Sequence, residues 1–382
     1  MLQSLRSGDT GRSFFVLFKN VPIHAEETEM HKLENLHVTE VRPLITPKDL
    51  KAELPRNEKA DRTVFESRQI IEDILTKKDP RLLVITGPCS IHDIDQAVEY
   101  AKRLKALKDK LEDKLFIVMR VYVDKPRTTV GWRGFIHDPE MKYQSDFNLG
   151  LRKTREVMLK VNELGIPVAT ELLDPFVPQY IADLLVWGAI GARTTESQTH
   201  RTMASGVSIP VGFKNSTDGN VKVAIDAIIA AQNRHTFLGI DEHGQAAMIG
   251  TEGNPYGHVI LRGGRSGANY SAQHVQEAAR EMREAGLNPA IVVDCSHANS
   301  NKDFRKQSIA WNEVIEQRMA GDRDLVGVML ESHLNEGAQK IPSDLSQLKY
   351  GVSVTDACIS WEATEDLLTS AHQMLSRDVV QK

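Results

Sequence analysis

Cysteine is scarce in this 382-residue chain: Cys89, Cys295 and Cys358 are the whole set, and three thiols make no even disulfide framework. That excludes a disulfide-stapled scaffold and leads to the expectation of a reducing compartment, the cytoplasm. Long apolar runs are lacking too. No stretch approaches the ~18 residues of a membrane-spanning helix. The segment SFFVLF near the start is shorter than the ~7–15-residue core of a secretory signal. Neither sign of charge dominates: the formal net charge is −5, so no nucleic acid is expected as a partner, and the lack of a long apolar stretch leaves no membrane expected either. Internal repeats and low-complexity tracts are also missing. What remains is an ordinary globular composition, 41% apolar and 26% charged. The length would permit two or three domains, but a β/α barrel of about 250 residues is one.

What is present is a series of short apolar runs, nearly all ending at charged or metal-capable residues. RLLVIT ends at GPCSIHD, with Cys89. FIVMRVYV follows through Arg120 into DKPRTT. IPVAT stops at Glu171, LLVWGAIGA at Arg193, IPVGF at Lys214, HVIL at Arg262, AIVVDC at His297 and LVGVML at Glu331. Runs rich in Val and Ile, apolar at successive positions, read as strands buried on both faces. Helical spacing separates them. Ile94, Ala97, Ala101, Leu104, Leu107 and Leu111 keep a 3–4 period, with Asp93 or Asp95 as the cap. Val157, Met158, Val161 and Leu164 mark another helix, closed by Gly165. Alternation of strand and helix predicts an eight-stranded parallel β/α (TIM) barrel, whose chemistry lies at the C-terminal ends of the strands.

Residues 1–29 show no period and are expected to be a disordered extension ahead of a more regular stretch that opens at Met30. Residues 30–56 read as an N-terminal arm for regulatory or subunit contacts, with a strand over HVTEVRPLI. Residues 57–382 are the barrel. One segment, 235–258, breaks the alternation: FLGI and AAMI around His243-Gly244 predict an inserted β-hairpin, a place for a partner or regulator.

Two constellations carry chemistry. Cys89, His297, Glu331 and Asp356 all fall at strand ends or in the last βα loop. A thiolate, an imidazole and two carboxylates suit one divalent Mn, Fe, Co or Zn ion better than Mg or Ca, although any one of them alone would be an ordinary core or structural residue. The cations Arg120, Lys125, Arg127, Arg193, Lys214 and Arg262 form the second set. Pairing with Glu171, Glu196 or Asp218 would absorb two or three of them. The surplus points to substrates with phosphate and carboxylate groups. Gly191-Ala192 and Gly263-Gly264 would let backbone N–H groups approach an oxyanion. In KPRTTVGWRG, Arg127, Thr128 and Thr129 fit a second phosphate, and Trp132 is either a packing anchor or a lid.

The segments GPCSIHD, VYVDKPRTTVGWRG, GAIGARTTESQTHR, PVGFKNSTDG, HVILRGG, DCSHANSNKD, LESHLNEG and KYGVSVTDACISWE together resemble the class I microbial 3-deoxy-D-arabino-heptulosonate-7-phosphate (DAHP) synthases, over about residues 30–375. The resemblance implies condensation of phosphoenolpyruvate with erythrose 4-phosphate and release of phosphate, the first step of the shikimate pathway. It implies that Cys89, His297, Glu331 and Asp356 hold the metal. By the same likeness Arg120, Lys125, Ala192, Arg193, Lys214 and Arg262 bind phosphoenolpyruvate, with Glu171 close by, and Arg127 and Thr128 take the aldose phosphate. Lys125 is a candidate acid for the developing alkoxide; Glu171 and His297 are both candidates to activate water. Feedback inhibition is implied at Asn35, Pro178, Gln179, Val207, Ser208, Phe237, Gly239 and Ile249. Glycine at 239 is typical of tyrosine-sensitive members, so tyrosine is the expected inhibitor. Asp241-Glu242 depart from the family's commoner Thr-Lys, and residues 1–29 lie outside its pattern. A homodimer or homotetramer is expected. The related synthase that uses arabinose 5-phosphate is disfavoured by KPRTT, the hairpin and the arm. A non-catalytic amino-acid sensor has no need of both constellations, and an aldolase that does not eliminate phosphate is the weakest alternative.

Overall fold

A computed structural model describes residues 31–127 and 129–377. The expected extension 1–29 and Thr128 lie outside the described residues. The chain divides into two compact units between Pro43 and Leu44. In the first, residues 31–43 form no strand, against the expectation for HVTEVRPLI. The backbone–backbone hydrogen bond seen within it runs from the Val38 N–H to the Asn35 carbonyl at 3.4 Å. A lone extended segment has no ladder to join, and apolar alternation cannot supply a partner. Among the described residues no helix is long and apolar enough to cross a membrane.

The second unit is a closed barrel. Its strands are β1 (Leu82–Gly87), β2 (Leu115–Arg120), β3 (Val168–Glu171), β4 (Trp187–Ile190), β5 (Val211–Lys214), β8 (Gly257–Leu261), β9 (Ile291–Asp294) and β10 (Leu325–Glu331). The hairpin strands β6 (His235–Ile240) and β7 (Ala246–Thr251) stand apart as a two-stranded sheet. The barrel order is β1-β10-β9-β8-β5-β4-β3-β2, and every pairing is parallel. The apolar run FIVMRVYV stops laddering at Arg120; Val121–Val123 stay buried but run past the sheet.

Helices follow the strands: α2 (Glu58–Leu75) precedes β1, then α3 (Ile94–Leu111), α4 (Phe147–Glu163), α5 (Val177–Ile181), α6 (Gln198–Ala204), α7 (Lys222–Ala231), α8 (Ala272–Glu284), α9 (Gln307–Met319) and α10 (Trp361–Arg377). Side chains start several of them. Asn57, Asp93 and Asp146 accept the Ala60, Gln96 and Leu149 N–H groups at 2.9 Å each. A further helix, α1 (Pro47–Glu53), sits inside the expected arm yet packs with the barrel: Leu50 is fully buried, and the Lys48 N–H donates to the Glu242 carbonyl in the hairpin turn at 2.9 Å.

Alternation along the strands sorts side chains between two cores. Leu82, Val84, Ile117, Val211, Phe213 and Val293 join the layer under the helices. Leu83, Ile85, Phe116, Val118, Ala169, Trp187, Ala189, Ile260, Val292 and Met329 fill the barrel interior. Within that interior the Trp187 indole N–H donates to His258 Nε2 at 2.9 Å. Burial holds the His258 pKa down at about 4, so the ring is a neutral acceptor.

This depression has a stability consequence. Folding lowers the pKa of His258, so the unfolded chain binds its proton more readily, and the contribution is complete above about pH 6.5 and lost as pH falls toward 4. Over that window the unaltered protein should lose about 2–3 kcal/mol more stability than His258→Gln, which keeps an acceptor without a comparable titration. Urea unfolding at pH 7 and pH 4.5 checks this; parallel losses in the two proteins would refute it.

Candidate active site

The same strand parity dictates what closes the barrel's mouth. Continuing each inward series by two residues gives Gly87, Arg120, Glu171, Gly191, Lys214, Arg262, Asp294 and Glu331 at the C-terminal ends of the eight strands. Three cations and three carboxylates form this ring, with two glycines. Added Cβ atoms would explain the glycines: at Gly87 one would lie 2.6 Å from the Arg120 carbonyl oxygen, and at Gly191 2.4 Å from Glu171 Oε1. Gly87 makes room for the Arg120 backbone and Gly191 for the Glu171 carboxylate.

Two ion pairs cross the ring. Arg120 Nη2 donates to Glu331 Oε1 at 2.8 Å, and Lys214 Nζ donates to Asp294 Oδ2 at 2.9 Å, all four side chains being buried. The partners expected from sequence, Glu171, Glu196 and Asp218, take neither cation. Burial alone would raise the Asp294 pKa, but His297 and Lys214 hold it well below the carboxylate range. Glu171 and Arg262 are left over: Glu171 Oε1 is buried without a hydrogen-bond partner, and Arg262 forms no ion pair among the described residues.

Loops add a second tier. Buried Lys125 donates to Cys89 Sγ at 3.1 Å and to the Cys89 carbonyl at 3.0 Å. Burial opposes the charge on Lys125, yet the Cys89 sulfur and the Glu331 and Glu171 carboxylates raise its pKa, so it stays an ammonium. Burial pushes the Cys89 thiol up, with Glu331 adding to the effect. Arg127 Nε donates to the Trp132 carbonyl at 2.8 Å, and the residue lines the cavity. Trp132 itself is a packing anchor, buried, with its indole N–H on the Asp138 carbonyl at 2.8 Å.

Cys89, Glu331 and Asp356 bring one ligand atom each within 4.8 Å of one another. His297 is not in that trio. It faces the same cavity, and its Nδ1 lies 2.6 Å from Ser296 Oγ and 3.0 Å from Asp294 Oδ2. A carboxylate on one ring nitrogen is what fixes the other as a donor to a metal. These residues could hold a divalent ion: the set combines soft sulfur with oxygen and nitrogen.

A cavity of about 420 Å³ opens over the ring, lined by Arg120, Lys125, Glu171, Lys214, Arg262 and Glu331 from below. Ala192, Arg193, Arg127, Thr129, His297 and Asp356 line its sides, together with Lys302 and Phe304, which sequence reasoning did not single out. It also missed the amides beneath. Asn215 Oδ1 accepts the Arg262 N–H at 2.9 Å and the Asn269 amide at 3.2 Å, while its own amide holds the Gly263 carbonyl at 2.9 Å. Asn299 Oδ1 accepts the Asn269 N–H at 2.8 Å, and its amide ties down the Leu261 and Asp294 carbonyls. Gln307 clamps Glu331, accepting its N–H at 2.8 Å and donating to its carbonyl at 3.0 Å. Gly263 and Gly264 prove to be packing glycines: added Cβ atoms would meet Ala298 at 2.8 Å and Gly219 at 2.4 Å.

The family model of the DAHP synthetase I family matches residues 54–369. The tyrosine-sensitive phospho-2-dehydro-3-deoxyheptonate aldolase of Escherichia coli (strain K12) is 53% identical over 344 residues, 90% of this chain and 96% of its own. The phenylalanine-sensitive enzyme of the same strain is 52% identical over 335 residues, 88% of this chain and 95% of its own. A solved phospho-2-dehydro-3-deoxyheptonate aldolase from Francisella tularensis SCHU S4 superposes with a TM-score of 0.87 at 43% identity, covering 89% of this chain and 98% of its own. The chain belongs to the DAHP synthetase I family.

In this family member the positions implied in regulation lie on three elements of the barrel unit. Pro178 and Gln179 are on α5, and Val207 and Ser208 follow α6. Phe237, Gly239 and Ile249 share the half-buried inner face of the hairpin, with Phe237 paired to Ile249 and Gly239 to Ala247. The hairpin is tied to the end of α6, where Ser205 Oγ lies 2.7 Å from Thr251 Oγ1 and the Asn254 amide donates to the Val207 carbonyl at 3.2 Å. Asn35 belongs to the separate segment 31–43.

The glycine beside Glu171 supplies a test of the site. In Gly191→Ala the new methyl meets a carboxylate tip and not backbone, so the change in thermal stability should be small, under about 1 kcal/mol. Moving Glu171 should lower kcat by at least about tenfold. A variant with full turnover would show that the position of Glu171 is immaterial.

Proposed function

We propose that this protein condenses phosphoenolpyruvate with D-erythrose 4-phosphate to give 3-deoxy-D-arabino-heptulosonate 7-phosphate and inorganic phosphate. The observation that carries this reading is the ring of paired charges with unpaired cations above it, opening on a cavity beside Cys89, Glu331 and Asp356. Arg193 and Arg262 have no carboxylate partner among the described residues and suit the phosphate and carboxylate of phosphoenolpyruvate. Arg120, Lys125 and Lys214 complete its surroundings, with the Ala192 backbone alongside. Arg127, with Thr128, takes the aldose phosphate. Holding two anions against a wall of fixed cations offsets their repulsion and orients carbon 3 of phosphoenolpyruvate toward the aldehyde.

As the new carbon–carbon bond forms, Lys125 gives a proton to the aldehyde oxygen. Water then adds at carbon 2, and the C–O bond to phosphate breaks. We assign the water to Glu171, whose buried unpartnered oxygen needs a donor, in preference to His297, whose Nδ1 faces Asp294. Cys89, His297, Glu331 and Asp356 would hold a divalent Mn, Fe, Co or Zn ion, which when bound supplies Lewis acidity toward an oxygen in the cavity.

Incubation with phosphoenolpyruvate and each aldose phosphate tests the reaction. Erythrose 4-phosphate should give equal amounts of the seven-carbon product and phosphate, and arabinose 5-phosphate none; the reverse outcome would overturn the assignment. For the metal, Cys89→Ala should weaken Mn²⁺ or Co²⁺ binding by at least about tenfold in calorimetric titration. Unchanged affinity would remove Cys89 from the ligand set.

We read the inhibitor as tyrosine. Tyrosine-sensitive and phenylalanine-sensitive relatives are equally similar overall, so the reading rests on Gly239. A Cβ there would lie 2.7 Å from Ile249 Cγ1, so glycine keeps the hairpin's inner face open beside Phe237 and Ile249. Tyrosine should inhibit strongly and phenylalanine weakly, with Gly239→Ser reversing the order; equal inhibition by both would sink the argument. We also place the protein in the cytoplasm as a homodimer or homotetramer. All three cysteines are free and buried, and Leu238 and Met248 are exposed on the outer hairpin face, which suits assembly. A monomer in sedimentation would overturn the second point.

A further inference from the structure

The loop that carries Lys125 and Arg127 is shut at its base by two buried ionisable side chains that the proposed reaction does not use. Val123 accepts the Ile136 N–H at 3.0 Å, and the Lys125 N–H donates to the Arg133 carbonyl at 2.9 Å, so residues 123–125 lie back to back with 133–136. Gly134 permits the approach: a Cβ there would lie 2.7 Å from the Val123 carbonyl oxygen. Inside this base, His137 Nε2 stands 3.2 Å from Asp124 Oδ1, both side chains almost wholly buried. The contact is an ion-pair distance without hydrogen-bond alignment. Neither Asp124 oxygen nor His137 Nε2 has a hydrogen-bond partner among the described residues. The imidazole also meets the ring of Phe147, the first residue of α4, edge-on at 4.6 Å between centroids.

A buried carboxylate with no hydrogen-bond donor is a poor way to stabilise a fold, and an apolar pair of similar size would do as well or better. Its location gives it a use. Asp124 directly precedes Lys125, whose Nζ is 3.1 Å from Cys89 Sγ. His137 follows the segment that returns from Arg127. We propose that Asp124 and His137 are a positioning clasp for the loop that carries Arg127, setting it for the aldose phosphate. The inference rests on the condensation reading above. It predicts unequal effects on the two substrates, because Arg193, Lys214 and Arg262 stand on or just after other strands and only Lys125 among the phosphoenolpyruvate cations shares this loop, whereas Arg127 rides on it.

The test uses Asp124→Asn, His137→Asn and the double variant of the full chain. Each single change should raise KM for erythrose 4-phosphate about tenfold, the factor carried by ~1.4 kcal/mol, and raise KM for phosphoenolpyruvate, through Lys125, by no more than about threefold. The double variant should be no worse than the more affected single, the non-additivity expected of groups that act on each other. Trp132 packs in the same loop, so tryptophan emission should shift to the red at a temperature where far-ultraviolet circular dichroism is unchanged. Equal rises in both KM values alongside a lower thermal midpoint would mark a merely structural pair and overturn the proposal, as would additive effects or unchanged kinetics. Absence of any product from the unaltered protein would instead overturn the condensation reading itself.

Discussion

The ion pair between Arg120 and Glu331 is the constraint around which the barrel's mouth is organised. Both side chains are buried, on strands that flank β1 from opposite sides, and they meet at 2.8 Å. Taking such charges out of water is costly, and the pair is weak as a source of stability. What it does is let a cation sit inside a folded barrel before any substrate arrives. Lys214 and Asp294 repeat the device on β5 and β9. With Glu171 and Arg262 the ring is formally neutral, so the empty site is tolerable, while Arg193, Arg127 and Lys302 above it bias the cavity toward anions. Gly87 and Gly191 belong to the same solution, because a side chain at the first would meet the backbone of Arg120 and one at the second the carboxylate of Glu171.

Amides fix the geometry that charges alone would leave loose. Asn215, Asn269 and Asn299 bind one another and the backbone at the ends of β5, β8 and β9, and Gln307 grips both backbone polar groups of Glu331. None of the four carries charge, so they set the direction of Arg262, Asp294 and Glu331 without altering the electrostatic balance. Preorganisation of this kind is what makes fixed dipoles and charges effective at a reacting centre.

The sequence shows the ring but not its support. A strand that ends at a charged residue is visible because parity and apolar runs are one-dimensional patterns, and Arg120, Glu171, Lys214, Arg262 and Glu331 were all legible in that way. The hairpin was legible from its alternation around Gly244. Pairing was not: Glu171, Glu196 and Asp218 are the nearer acids along the chain, yet Glu331 and Asp294 take Arg120 and Lys214, since barrel closure brings β10 beside β1. The amide network has no period and spans 215 to 299, so nothing local announces it. Gly263-Gly264 looked like an anion cradle and instead lets two loops touch. The strand expected at HVTEVRPLI needs a neighbour that its own pattern cannot provide.

The position of α6 shows how the hairpin and the mouth are physically connected. At its N-terminal side lies the loop that begins at Gly191 and carries Ala192 and Arg193; Thr195 Oγ1 donates to the Lys214 carbonyl at 2.9 Å, joining that loop to the end of β5. At its C-terminal side Ser205 meets Thr251 on the hairpin. Arg201, inside the helix, donates back to the Thr195 carbonyl at 2.8 Å, so the seven-residue helix and its leading loop are held as one piece. A ligand seated against Phe237, Gly239 and Ile249, as proposed above, would press on the far end of the same piece that presents Arg193. A body this short would transmit a shift of its C-terminal end without a chain of intermediate side chains, and the loop at its other end holds Arg193, a cation of the cavity with no carboxylate partner among the described residues. Coupling of hairpin to site then requires only that α6 have two resting positions that a ligand tells apart.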